Sequence, residues 1–171
     1  MAKPAKDTRL LPTRNDLPTN ARQASIGVLQ ACLVDTVDLY NATRQAHWNV
    51  KGPHFGSLHA LFETFYTDLA EAADEIAERI VQLGGVANGT TQVLAADTRL
   101  QPYPTELQAG MDHVRALSDR YAQVAKALRA GIDETDEAGD ADTADLLTGQ
   151  SRAIDKKLWM LEAHLGSDTA A

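Results

Sequence analysis

The chain holds a single cysteine, Cys32, among 171 residues, so no disulfide can form within it. Its stability must come from packing rather than covalent staples. Cys32 sits in the apolar segment IGVLQACLV, where a free thiol is expected to be buried. Aromatic side chains make up only 5% of the sequence, and no window approaches the roughly 18 consecutive apolar residues that a membrane-spanning helix requires. The first residues, MAKPAKDTRLLPTRND, lack an apolar stretch of signal-peptide length. A soluble, cytoplasmic protein of one domain is expected, with no membrane partner.

Positive charge is also short, with 16 basic against 24 acidic residues and a formal charge of −8. Such a body repels nucleic acid as a whole and attracts cations, so any DNA contact must be local. The imbalance is uneven along the chain. Residues 1–22 carry Lys3, Lys6, Arg9, Arg14 and Arg22 against Asp7 and Asp16, a net +3, whereas the remainder holds eleven basic and twenty-two acidic residues. Pro4, Pro12 and Pro18 interrupt any helix there. This composition shift divides the chain into a basic extended arm (1–20), a folded domain (21–166) and a short tail (167–171). On composition the arm reads equally as a solvated tail and as a polyanion contact.

What is abundant is helical periodicity. From Ala21 to Val50, Ile26, Leu29, Leu33, Val37, Tyr40 and Ala46 recur mostly at spacings of three or four, and Gly52-Pro53 ends the pattern. Leu58, Leu61, Phe62, Phe65, Leu69, Ile76, Ile80 and Leu83 repeat it and stop at Gly84-Gly85. A long connection follows, with one short helix expected around Thr91–Ala96. Thr105 and Gln108 form a candidate capping box for a third long helix, which runs through Met111, Val114, Leu117, Tyr121 and Leu128 to about Ile132. The acidic run DETDEAGDAD is expected to be a turn, and a fourth helix extends from Leu146 to Leu165 with Gly166 as its stop. Four long helices with one extended link between the second and third predict an all-α, ferritin-like four-helix bundle with a short helix in that connection.

One chemical pattern is missing. No glutamate is followed by histidine three residues later, so the paired Glu-x-x-His ligands of a di-iron centre inside the bundle are not expected. The second helix instead carries His59 and Glu63 at i, i+4, then Asp74 and Glu78 at i, i+4. At 100° per residue these lie at roughly 0°, 40°, 60° and 100° around the helix, a polar stripe on one face. His59 and Asp74 are about 22 Å apart along the axis at ~1.5 Å per residue. One ion cannot touch both. Two copies packed antiparallel about a two-fold axis would bring the His59/Glu63 end of one against the Asp74/Glu78 end of the other. Imidazole with carboxylate suits a borderline divalent ion, iron(II) above all, rather than calcium. On spacing alone, the stripe reads first as side chains that salt-bridge across a dimer interface, and as a metal site second.

The segment RQAHWNVKGPHFGSLHALFETFYTDLAEAADEIAERIVQLGG resembles the signature of the Dps mini-ferritins. The likeness continues through GTTQV, DRYAQVA and DKKLWMLEAHL and spans residues 21–165. It implies a hollow shell of twelve subunits in which Fe(II) is oxidised to Fe(III), preferentially by hydrogen peroxide, at ferroxidase sites shared between two-fold-related subunits. Carried over by position, the implied ligands are His47, His59 and Glu63 from one subunit and Asp74 and Glu78 from its partner. Glu63 departs from the family's usual aspartate by one methylene, which puts the second-metal geometry in question. Trp48 matches the tryptophan beside the family's site, where it either quenches one-electron oxidants or packs an interface.

The resemblance further implies that Asp140 and Asp145 line three-fold pores through which iron passes, with Asp142 adding to the field. N-terminal capping of the fourth helix is the structural counterpart of that reading. Some members of the family compact DNA through a basic arm, the role open to Lys3, Lys6, Arg9 and Arg14; association with the nucleoid would follow. A DNA-compacting module with a secondary metal site is therefore the alternative to an iron-oxidising shell. His54, His113 and His164 match no ligand of the family; His54 is expected in the Gly-Pro turn, and the other two at the surface or a helix end.

Overall fold

The computed structural model describes residues 10–166. Five helices follow one another: α1 (Thr19–Asn49), α2 (Phe55–Gln82), α3 (Thr91–Asp97), α4 (Gly110–Glu137) and α5 (Ala141–Leu165). Among the described residues the only β-type pairing is an isolated bridge between Lys51 and Ala109. Helices α1 and α2 pack as one antiparallel hairpin and α4 and α5 as another, with α1 against α4 and α2 against α5. The expected all-α bundle is the fold, and the short helix lies where the sequence placed it.

The connection between α2 and α4 crosses the whole bundle. α4 starts beside the α1–α2 turn, where Lys51 N donates to Gln108 O (2.8 Å) and Gly110 N donates to Lys51 O. α2 ends at the opposite pole. The intervening chain is pinned to α1 by Asp35, which is buried and accepts from Arg99 N (3.1 Å) and Arg99 Nε (2.7 Å). On the α4 side, Arg120 donates to the carbonyls of Gln101 and Pro102, and Gln123 to that of Arg99. A long link with this many polar anchors is an ordered part of the fold.

The core is the set of periodic positions. Leu29, Leu39, Phe62, Phe65, Leu69, Ile76, Ile80, Leu117, Tyr121 and Leu161 are all buried. Each such aliphatic or aromatic side chain contributes ~1.5–3 kcal/mol on leaving water. Cys32 belongs to this layer, and burial pushes its thiol up to about 11 against the opposing pull of Arg99. It is an inert thiol, as its apolar neighbours in the sequence suggested.

Two helix boundaries differ from expectation. The Thr105–Gln108 capping box does not form, because the Gln108 backbone and side chain are taken by Lys51; α4 begins at Gly110 with Ala109 as a cap that makes no side-chain bond. At its other end α4 runs on through the acidic run to Glu137, five residues past Ile132. Gly139, at φ +84°, then closes it by donating to Asp136 O while Asp140 N donates to Thr135 O. That wrap satisfies two terminal carbonyls, and it takes the left-handed glycine rather than the first acidic residue to stop the helix.

Residues 10–18 form an extended strap. Leu11 N donates to Gly84 O at 2.7 Å, and Arg22 ties the strap to α2 by donating to Leu17 O and Leu83 O. Gly84 has φ +87°, and a Cβ there would lie 2.6 Å from Leu11 O, so only glycine admits the strap. Arg14 is exposed on it, whereas Lys3, Lys6 and Arg9 lie outside the described residues, as does the tail from residue 167.

Candidate metal centre

His47 lies in the last turn of α1 and His59 in the second turn of α2, so the short turn at residues 50–54 folds one onto the other. Their imidazoles stack with centroids 3.8 Å apart and planes 20° from parallel. Each ring is tied to the other's backbone: His47 Nδ1–H donates to His59 O and His59 Nδ1–H donates to His47 O, both at 2.9 Å. The carbonyls are acceptors only, so both Nδ1 atoms carry hydrogen, and neither bond occupies Nε2. That is the arrangement of a metal-ligating histidine, whose second nitrogen bonds a carbonyl and fixes the tautomer.

Aromatic side chains frame the pair. Phe55 lies 5.1 Å from His59, and Tyr66 meets His47 edge-on at 5.2 Å. Tyr66 in turn meets Tyr40 at 5.9 Å. Arg44 holds its guanidinium 4.8 Å from the ring centroids of both Tyr40 and Trp48. Trp48 is 62% exposed and Phe55 49%, a large apolar surface to leave in water beside a polar site. Sequence reasoning missed Phe55, Tyr66 and Arg44. The signal was present, since Arg44 is three residues before His47 and Tyr66 seven after His59, both helical repeats of a ligand position.

The carboxylates do not complete this site within one protomer. Glu63 is one turn beyond His59 and exposed, and Asp74 and Glu78 are exposed far along the same helix. The core of α2 faces elsewhere, through Leu58, Phe62, Phe65, Leu69, Ile76 and Ile80, so the stripe runs along the outer side of the bundle. Among the described residues, no three His, Cys, Asp or Glu side chains of one protomer converge to hold a metal ion. Two histidine nitrogens and a nearby carboxylate stand at one end of the stripe, and a carboxylate pair at the other. Imidazole nitrogen with carboxylate oxygen is a donor set that suits a borderline divalent ion.

The residues at the α4–α5 turn divide into two kinds. Asp140 has no exposed surface; it accepts from Arg79 Nη2 (2.8 Å), from Thr143 N (3.1 Å) and from Thr143 Oγ1 (2.6 Å) as the N-cap of α5. Burial by itself raises its pKa, but the hydrogen bonds from Thr143 and the Arg79 charge overcome this and hold the carboxyl below its ordinary value. Asp145 is exposed, as is Asp142. Of the remaining histidines, His54 occupies the turn before α2 and His164 the exposed end of α5. His113 departs from expectation: it is buried, and its Nδ1 shares a hydrogen bond of 2.7 Å with Tyr103 Oη. The crossing connection lies over it, which helix periodicity around α4 does not reveal.

The ferritin-like domain family matches residues 26–170. The chain is 50% identical over 153 residues to the DNA protection during starvation protein of Agrobacterium fabrum, an alignment covering 90% of this chain and 94% of that one. The chain belongs to the Dps family. Among solved structures, DpsA14 from Streptomyces coelicolor superposes with a TM-score of 0.89 at 35% identity, covering 98% of each chain. The Dps protein of Vibrio cholerae O1, described as a member of a broad superfamily of ferritin-like diiron-carboxylate proteins, superposes with a TM-score of 0.85 at 29% identity over 92% of this chain and 98% of that one. The Dps likeness therefore covers the crossing connection and both ends of the polar stripe.

Proposed function

We propose that this chain stores iron and protects DNA by oxidising Fe(II), preferentially with hydrogen peroxide, at sites shared between two subunits of a hollow dodecamer. His47, His59 and Glu63 of one subunit and Asp74 and Glu78 of the partner subunit hold the substrate iron. The observation that carries this reading is the reciprocal bonding of the two histidines, which commits both Nδ1 atoms and leaves two Nε2 donors for an ion. The separation of the acidic pair along α2 supports a site built from two copies, because an antiparallel pair of α2 helices is the arrangement that joins the two halves.

In the proposed reaction two Fe(II) ions each give one electron to peroxide, which takes up two protons and leaves as two waters. The carboxylates favour the more highly charged Fe(III), and the imidazoles moderate the affinity so that the product can move inward. Glu63 reaches one methylene further than aspartate and sets the distance to a second ion. Exposed Asp145 and Asp142 are the pore carboxylates of this proposal, and buried Asp140 stands behind them as the cap that fixes the start of α5. Three copies around an axis would draw cations by their summed field.

The test is anaerobic addition of peroxide to Fe(II)-loaded protein, followed by ultraviolet absorption alongside the particle mass. Rapid oxidation by a dodecamer, lost in His47→Ala with His59→Ala, is expected. A monomeric protein without peroxide-dependent oxidation would overturn the reading.

A further inference from the structure

We infer that Tyr66 is an electron donor to this centre: when a single Fe(II) meets peroxide there, the Tyr66 phenol supplies the second electron, ahead of Trp48. The inference rests on the proposed iron oxidation and deepens it. Cleaving the peroxide O–O bond takes two electrons, and a site holding one ferrous ion has only one to give. Without a second donor nearby the other half of the peroxide leaves as hydroxyl radical.

Three oxidisable side chains stand near the histidines, and their surroundings rank them. Trp48 and Tyr40 share the Arg44 guanidinium, 4.8 Å from each ring centroid. A cation over a ring face is attracted by the electrons there, and removing one of those electrons turns attraction into repulsion. Both rings are therefore harder to oxidise than a bare one. Arg44 Nη1 also donates to Tyr40 Oη at 2.8 Å, drawing density from the oxygen that would carry the unpaired electron. Tyr66 has no cation over its ring among the described contacts, and it is the one of the three in edge contact with a ligand imidazole, 5.2 Å from His47 at 78°. It lies three residues beyond Glu63 on the same face of α2 and is half-buried.

The step balances. Fe(II), peroxide and tyrosine give Fe(III), a neutral tyrosyl radical, one hydroxide and one water. The O–O bond breaks, the iron and the phenol each lose one electron, and the phenolic proton leaves with the oxygen that becomes water. A later Fe(II) arriving at the site returns an electron, with a proton from solvent, and restores the tyrosine. Both electrons then come from iron, separated in time, with no free radical released.

The experiment is freeze-quench electron paramagnetic resonance of the intact assembly, loaded below one Fe(II) per site and mixed with peroxide, with hydroxyl radical trapped in parallel. Wild type is expected to give a tyrosyl signal that narrows when ring-deuterated tyrosine is incorporated. Tyr66→Phe, which keeps the ring and its packing, should lose that signal and release more trapped hydroxyl radical, while Trp48→Phe should keep it. A signal that survives Tyr66→Phe, or that narrows with deuterated tryptophan instead, overturns the inference while leaving ferrous oxidation standing. Absence of ferrous oxidation in wild type would overturn the proposed function and this inference together.

Discussion

Arg79 on α2 and Asp140 at the start of α5 form a buried ion pair at 2.8 Å, and Arg79 is the residue next to Glu78 in the polar stripe. Its guanidinium also donates to Thr143 Oγ1 at 2.9 Å. One residue of the stripe thus points outward and the next locks α2 to the opposite hairpin. With Lys157 and Asp68 at 2.8 Å, this pair fixes the rotation of α2 about its axis, and so the direction in which Asp74 and Glu78 face.

Asp140→Ala is expected to destabilise by about 3 kcal/mol, since it orphans a buried guanidinium and removes the N-cap of α5. Asp145→Asn, at an exposed position, should change stability by less than about 0.5 kcal/mol and instead slow iron uptake. Melting curves and uptake kinetics on both variants separate the two roles. Equal slowing of uptake in a stable Asp140→Ala protein would show that Asp140 faces the iron path after all.

Acid should weaken the fold in two stages. Burial lowers the pKa of His113 below its ordinary 6.5, so the unfolded chain binds that proton more readily; the stability it contributes is full above about 6.5 and is lost as pH falls toward the lower folded value. Asp140, also held below its ordinary value of 3.8, adds a contribution that is full above that value and lost as pH falls through its folded pKa. His113→Phe should flatten the first stage of a melting-temperature profile, whatever it does to the absolute value. An unchanged slope between neutral pH and pH 5 would assign that loss elsewhere.

A shared site makes a complementation test possible. His47→Ala/His59→Ala and Asp74→Asn/Glu78→Gln proteins should each lose at least about tenfold in ferrous oxidation rate. Mixed during assembly, they should recover about one quarter of wild-type sites, because half of random pairs are mixed and each mixed pair has one intact site of two. No recovery in a mixed particle of correct mass would argue for a site within one protomer.

DNA retention, if the arm carries it, should follow residues 1–9 and not the strap. Leu11 and Arg22 tie residues 10–18 to the Gly84 turn, so a deletion through residue 20 removes fold contacts along with charge. Deleting residues 1–9 removes Lys3, Lys6 and Arg9, and should abolish gel retention at low salt while sparing iron oxidation. Retention that persists in this deletion would move the contact to Arg14 or to another surface.

The fold was legible because its signal is local. Leu29, Leu33, Phe62, Phe65, Leu69 and their counterparts repeat at helical spacing, and each repeat names its own buried face without reference to the rest of the chain. The capping box was a false signal, because Gln108 had a better partner in Lys51, 57 residues away. His113 was misplaced for a similar reason, since Tyr103 arrives from a connection whose path no periodicity encodes. The stripe on α2 was readable from spacing, but its meaning was not.

By itself, the sequence determined four long amphipathic helices, the long link that joins the two hairpins, the burial of Cys32 and the single face on which His59, Glu63, Asp74 and Glu78 line up. All of these follow from rotation per residue and from where glycine and proline interrupt it. Only the tertiary structure decided that His47 and His59 stack and bond each other's carbonyls, that Tyr66 rather than Trp48 touches the pair, and that Asp140 is sealed against Arg79 while Asp145 stays in water. Those outcomes depend on how α1 and α2 meet across a short turn and how α2 is held against α5. Such distances come from packing between segments far apart in the chain, which local periodicity does not contain.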